Sequence, residues 1–159
     1  VTLRLRRADA GDSHGLWLWA NDPGSRAGSG NRPPIAWEEH LAWLGERLLS
    51  PDALIFIAIG DGGRPVGTIR FETEDGWGRA RLSYLVAPEA RGTGLGRPLL
   101  LAGLAELRAH AAGGVVEATV YPENAPSLRL FRSLGWRERR EADGRRVFEG
   151  RAEETVCRS

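Results

Sequence analysis

The run Val86-Ala87-Pro88-Glu89-Ala90-Arg91-Gly92-Thr93-Gly94-Leu95-Gly96-Arg97-Pro98-Leu99-Leu100 joins the end of an apolar strand pattern to a glycine-rich turn and the start of a helix. Such a junction favours anion binding. Glycines let the backbone approach a phosphate closely, and the unpaired N–H groups of a first helical turn point at it with the positive end of the peptide dipoles. Pro98 suits that first turn, where a missing N–H costs nothing. Two nucleotide loops fail on particular residues. A P-loop needs a lysine, and all 22 basic residues of this chain are arginine. A dinucleotide fingerprint counted from Gly92 and Gly94 needs Gly or Ala where Arg97 stands, with its strand early in a repeated βαβ array.

Working outward, residues 97–110 read as a helix with Leu100, Leu104, Leu107 and then Ala111 on one face, stopped by Gly113-Gly114 before a strand over 115–121. A helical crossover between the strand ending at Val86 and the strand starting at Val115 predicts that these two pair in parallel. Upstream, residues 53–59 are a continuous apolar run suited to burial on both faces, and Asp61-Gly62-Gly63 turns it into a strand over 65–74. Glu74-Asp75-Gly76 then leads to the strand over 79–86. Downstream, a helix over about 126–134 ends at Gly135, and strands over 136–141 and 145–149 form a hairpin across Asp143-Gly144.

The first third reads as a strand over 2–7, a helix over 15–21 and an amphipathic helix over 37–49. Between the helices, residues 23–34 are mostly Gly, Pro, Ser, Asn and Arg, so they read as a loop whose length suits binding. The fold expected is α+β: a mixed, mostly antiparallel sheet of about seven strands flanked by about four helices. It fills one domain over 1–150, with a loosely held tail over 151–159.

Composition narrows the chemistry. A chain of 159 residues buries roughly two thirds of its unfolded surface, enough for one core. With 22 basic against 21 acidic residues, no net field draws it to nucleic acid or an anionic membrane, so neither is expected as a partner. Absent lysine also removes Schiff-base catalysis. Cys157 stands alone, and His14, His40 and His110 lie far apart, so no metal is expected. The alternating start lacks a signal-peptide stretch and no apolar run reaches about 20 residues, which predicts a soluble cytoplasmic protein.

The segment Arg91-Gly92-Thr93-Gly94-Leu95-Gly96 resembles the pyrophosphate loop Arg/Gln-x-x-Gly-x-Gly/Ala of the GNAT N-acetyltransferases. Asn124-Ala125-Pro126-Ser127-Leu128-Arg129-Leu130-Phe131-Arg132-Ser133-Leu134-Gly135-Trp136 resembles that family's helix after its fifth strand. The resemblance implies a domain in which two parallel strands splay apart, acetyl-CoA as acyl donor, and direct attack by a primary amine in a ternary complex. It places the donor against the backbone of Tyr84, Leu85 and Val86, the loop Arg91, Gly92, Thr93, Gly94, Leu95, Gly96 with Arg97, and Asn124.

The family pattern is not complete. Many members carry an acidic tyrosine seven residues after the asparagine, where this chain has Phe131. The glutamate that another branch places five residues before it is Thr119 here. One branch uses a serine three residues after the asparagine to bond or protonate the thiolate, which implies that role for Ser127. A small polar residue capping backbone donors is the other reading of that position. For the base, Glu72 acting through water comes first and Glu117 second, with a solvated strand-end carboxylate the other reading of Glu72.

Residues 16–23, Arg26 and residues 35–43 are similar to amino-sugar N-acetyltransferases of the pseudaminic acid pathway. That similarity implies a nucleotide-linked amino sugar as acceptor, with Asn21, Arg26 and His40 contacting it. Trp17, Trp19, Trp37 and Trp43 read mostly as core. Two alternatives stay open: a protein N-terminus or another small-molecule amine as acceptor, or a non-catalytic acyl-CoA-binding module. An exposed apolar helix face would make a homodimer, as is common in the family.

Overall fold

A computed structural model describes residues 3–157. One sheet of seven strands carries them, in the order β1-β2-β3-β4-β5-β7-β6. Its strands are β1 (Arg4–Arg7), β2 (Ala53–Ile59), β3 (Pro65–Thr73), β4 (Arg79–Val86), β5 (Val115–Val120), β6 (Arg137–Arg140) and β7 (Arg146–Arg151). The helices are α1 (Ser13–Asn21), α2 (Pro23–Gly28), α3 (Trp37–Leu49), α4 (Gly96–His110), α5 (Ala125–Ser133) and α6 (Ala152–Cys157). Thr2, the first residue of the expected opening strand, lies outside the described residues.

All seven residues of β2 are buried, as its unbroken apolar run requires. Alternation along the strand splits them between two cores. Leu54, Phe56 and Ala58 join Leu99, Leu100, Leu104 and Leu107 of α4, together with Phe131 of α5. Ile55, Ile57 and Ile59 pack instead with Leu16 of α1 and Leu44 of α3. The sheet is therefore a middle layer with helices on both faces. At Gly103 an added Cβ would lie 2.4 Å from Ile69 Cδ1, so α4 sits against β3 at a distance only glycine allows.

Two helices exceed the expected count, and each has a physical cause. Inside the expected loop, Asp22 caps α2 by accepting from the Ser25 N–H at 3.1 Å, and Pro23 fills the first helical position. After Gly150 the chain is not loose: β7 runs to Arg151, and α6 follows with Ala152 and Thr155 buried. Trp136 Nε1 donates to Thr155 Oγ1 at 2.9 Å in the interior, which ties α6 to the chain just before β6.

The feature that positions the site is a failure of pairing. β3 and β4 pair along their lengths, from Gly67 with Val86 to Thr73 with Ala80. β4 and β5, the parallel pair, stay in register only at Arg79 with Val115, Ala80 with Val116 and Arg81 with Glu117. Beyond Arg81 they part.

Candidate active site

Between the diverging halves of β4 and β5 lies a cleft of about 1370 Å³. Val86 stands opposite Gly67, and the next residue, Ala87, donates its N–H to Val66 O at 2.9 Å. In an antiparallel pair this makes Val86 a non-hydrogen-bonded position, and two residues earlier Tyr84 is another. Both turn their backbone N–H and C=O into the gap. Leu85 turns the other way, with its carbonyl 2.7 Å from where a Cβ on Gly67 would be. Of the three residues expected to pair with an extended ligand, Tyr84 and Val86 can, whereas Leu85 is engaged by β3.

The glycine loop closes one end of the cleft. Gly92 and Gly94 have φ of 76° and 80°, and an added Cβ at either would meet nothing within 4 Å, so glycine is required there by backbone angle rather than crowding. Helix α4 opens at Gly96 after Leu95, and no side chain caps it. Open first-turn N–H groups above a concave backbone fit a pyrophosphate, and the edge of β4 fits an amide-bearing arm. Thr93 donates its hydroxyl to Ala90 O at 2.6 Å, closing the turn. Arg97 donates to Ser133 Oγ at 3.2 Å, bridging α4 and α5. Leu95 is buried and anchors the loop on Ala87 and Ala90.

Arg91 does something the sequence did not suggest. Its guanidinium holds Asp22 Oδ2 at 2.7 Å and Ser25 Oγ at 2.7 Å, so the loop is fastened to α2. The same guanidinium holds the Asp22 carboxyl below its usual range. The segment after α2 reaches the opposite wall. Arg32 donates to the Tyr121 hydroxyl at 2.6 Å, and a Cβ on Gly30 would strike the Tyr121 ring at 2.6 Å. Residues 22–32 thus strap the cleft from the glycine loop to the end of β5.

Asn124 caps α5, accepting from the Ser127 N–H at 3.3 Å. Ser127 is buried in the cleft wall, and its hydroxyl lies 2.8 Å from the phenolic oxygen of Tyr84. Tyr84 shares a strand face with Ala80 and Leu82, facing α4 and α5, and its ring meets Phe131 edge-on with centroids 6.1 Å apart. Burial pushes the phenol above its ordinary value, partly opposed by the bond with Ser127. Sequence reading used Tyr84 only for its backbone. Alternation from Leu82 was the signal that could have placed the phenol.

Other expected site residues are placed differently. Glu72 is outside the cleft lining, in an adjoining pocket of about 320 Å³. Its carboxylate accepts from Arg47 Nε at 2.7 Å and ion-pairs with Arg70 Nε at 2.9 Å. Burial raises its pKa, but Arg70, Arg47 and Arg81 together outweigh that and lower it, the wrong direction for a base. Glu117 is shared by Arg79 at 3.1 Å and Arg139 at 3.5 Å. Asn21 spends its amide on Ile35, donating to the carbonyl at 2.9 Å and accepting from the N–H at 2.7 Å, so it holds the chain before α3 rather than a ligand.

Arg26 and His40 do line the cleft. Arg26 donates through Nε to Ala20 O at 2.6 Å. His40 is buried, with Nε2 2.8 Å from Ser13 O, and Trp37 stacks on it at 6.0 Å between centroids. Trp19 and Trp43 line the cleft as well. Trp17 instead donates to Ile35 O at 2.8 Å.

Residues 14–136 match the model of the acetyltransferase (GNAT) family. The chain belongs to the acetyltransferase (GNAT) family. It is 33% identical over 144 residues to a mycothiol acetyltransferase of Thermobispora bispora, covering 84% of this chain and 46% of that protein. A mycothiol acetyltransferase of Saccharomonospora viridis is 38% identical over 79 residues, 47% of this chain and 20% of that protein. The GNAT chain thus spans less than half the length of these curated relatives. A spermidine N-acetyltransferase from Vibrio cholerae, in complex with CoA and spermine, superposes with a TM-score of 0.78 at 17% identity over 92% of each chain. An aminoglycoside acetyltransferase in complex with coenzyme A gives 0.77 at 21% identity over 99% of each. These two establish the GNAT fold.

Proposed function

We propose that this GNAT chain is an N-acetyltransferase that moves the acetyl group of acetyl-CoA onto the primary amine of a small acceptor carrying anionic groups, a nucleotide-linked amino sugar. The splayed gap carries the donor half of this reading, with Tyr84 and Val86 offering unpaired backbone beside an uncapped helix start. Acetyl-CoA supplies an acyl thioester there. The Val86 N–H would polarise an acyl oxygen in the gap, and a positioned donor of this kind is worth about 3 kcal/mol in acyl transfer. Tyr84 and Ser127 form the proton-donating pair: the phenol stays protonated at neutral pH, and Ser127 orients it.

Charge carries the acceptor half. Arg26, Arg32, Arg70, Arg91 and Arg97 line the cleft against two carboxylates, Glu39 and Glu123. Arg91 and Arg70 are ion-paired with Asp22 and Glu72. Arg26 and Arg32 bond to a carbonyl and a phenol, which leaves their charge unneutralised by any carboxylate contact among the described residues. A polycation would meet repulsion here, whereas phosphate groups would find two guanidinium donors. Trp19 and Trp43 add flat apolar surface for a sugar or base.

The test measures thiol release from acetyl-CoA with UDP-linked amino sugars, N-terminal peptides and polyamines, beside calorimetric binding of acetyl-CoA. Turnover with the amino sugars is expected. Preferential turnover of polyamines or peptides sinks the acceptor reading, and binding without any turnover favours an acyl-CoA-binding module.

A further inference from the structure

With Glu72 and Glu117 held by arginines outside the main cleft, proton removal from the amine has no carboxylate assigned to it. The carboxylates that do line the cleft, Glu39 and Glu123, are exposed, and a solvated carboxylate is a weak base toward an ammonium. One imidazole is differently placed. His40 sits on α3, and its Nε2 faces Ser13 O at 2.8 Å. A carbonyl only accepts, so Nε2 carries the hydrogen and Nδ1 carries the lone pair. Among the described residues Nδ1 has no hydrogen-bond partner. Nor is Nδ1 fully enclosed, and His40 is among the residues that line the cleft.

We propose that His40 is the general base, accepting the amine's proton at Nδ1. The reading rests on the acetyl-transfer function above and adds the group that function lacks. Geometry gives it a direction. Helix α3 covers the sheet face that carries Ile55, Ile57 and Ile59, whereas Tyr84 and Ser127 lie on the face covered by α4 and α5. Both groups line one cleft because β4 and β5 part between them. Base and acid therefore address the gap from opposite faces, so the incoming amine and the departing sulfur each have a proton-transfer group on their own side.

The protons balance. His40 Nδ1 takes one proton from the ammonium, becomes imidazolium and passes it to solvent. The freed lone pair forms the N–C bond as the C–S bond breaks, and Tyr84 gives its proton to the sulfur. The acylated nitrogen sheds a second proton, which restores the phenol, so one proton is released per turnover. Burial keeps His40 below the usual imidazole value, with the Ser13 bond opposing, so the ring is unprotonated near neutrality with a lone pair free to accept a proton, while its basicity is reduced. The charged groups that share the cleft with His40 are Glu39 beside it on α3, Arg26 of α2, Arg32, Arg70 of β3, Arg91, Arg97 of α4 and Glu123, with His14 of α1 next to Ser13.

His40→Gln keeps an N–H donor for Ser13 O and removes the basic nitrogen. It is expected to lower kcat by about a hundredfold to ten-thousandfold, to abolish the acid limb of the kcat/KM pH profile, and to leave acetyl-CoA binding by calorimetry unchanged. Nitrogen-15 NMR of the unsubstituted protein provides a readout independent of the variant's folding, and the Nε2–H tautomer is expected for His40. An Nδ1–H tautomer overturns the proposal, as does a folded variant whose kcat stays within about threefold. If another amine is the acceptor, the same comparison runs on that amine and only the sugar reading fails. Intact acetyl-CoA binding with no amine turned over by the unsubstituted protein overturns acetyl transfer, and the base with it.

Discussion

Phe131 is 1% exposed, stacked on Phe148 with centroids 5.2 Å apart and tilted against Trp136 at 5.4 Å. Its ring belongs to the core, and under the proposed acetyl transfer the hydroxyl absent there comes from Tyr84, whose ring meets Phe131 edge-on. Tyr84→Phe should therefore lower kcat by about a hundredfold or more while the acetyl-CoA KM moves little, because the backbone that meets the donor is unchanged. Ser127→Ala should cost less, since it removes only the group that orients the phenol. Equal kcat in Tyr84→Phe and the parent would remove Tyr84 from the chemistry. That the position of Ser127 in the cleft wall could be read from the sequence while the Tyr84 hydroxyl could not follows from distance along the chain. Ser127 is fixed by its spacing from Asn124, a local relation, whereas the Tyr84 hydroxyl acquires meaning only when α5 packs over β4. Glu72 failed for the same reason in reverse. Its captor Arg47 comes from α3, 25 residues away, and alternation along β3 says nothing about that helix.

Among the elements, strands and long helices were readable because their periodicity is their cause: β2 is buried end to end, and α4 presents Leu100, Leu104 and Leu107 at helical spacing. The two short helices were not, because neither has enough turns to show a period. Helix α2 exists through the Asp22 cap and through the Arg91 bridge that fastens its first turn to the glycine loop. Helix α6 exists through burial of Ala152 and Thr155 as it packs chiefly against α4, with a smaller contact to β7. Close packing at this corner is visible at Gly150, where an added Cβ would lie 2.5 Å from the Trp136 ring. Thr155→Val would keep the shape and strand the buried indole N–H of Trp136, at a cost of about 1–3 kcal/mol. Urea denaturation followed by tryptophan fluorescence would read it, and an unchanged midpoint would mean that α6 contributes little to the fold.

For the whole molecule, chain order was enough to foresee one parallel contact between β4 and β5, and the family resemblance supplied their splaying; which backbone groups the splay exposes required the register. The charge pattern carries a global consequence of its own. Arg6 bonds Asp12 and holds its carboxyl below the usual value against the opposing effect of burial, and Arg132 and Arg79 act likewise on Glu138 and Glu149. Groups lowered in the folded state stabilise it above their ordinary values, so this part of the stability is lost as pH falls through about 4 and below. His40 adds an earlier step of different origin. Burial lowers its pKa, so below about 6.5 the unfolded chain takes up a proton that the folded one does not, and stability declines as pH falls from there. Acidification should therefore shift the urea midpoint in two stages, one between about pH 7.5 and 5.5 and a larger one near pH 4. His40→Gln should remove the first stage and leave the second. A parent protein with a flat midpoint from about pH 7.5 to 5.5 would show that the imidazole is not held neutral by burial, and the pH window assigned to His40 in catalysis would lose its physical basis.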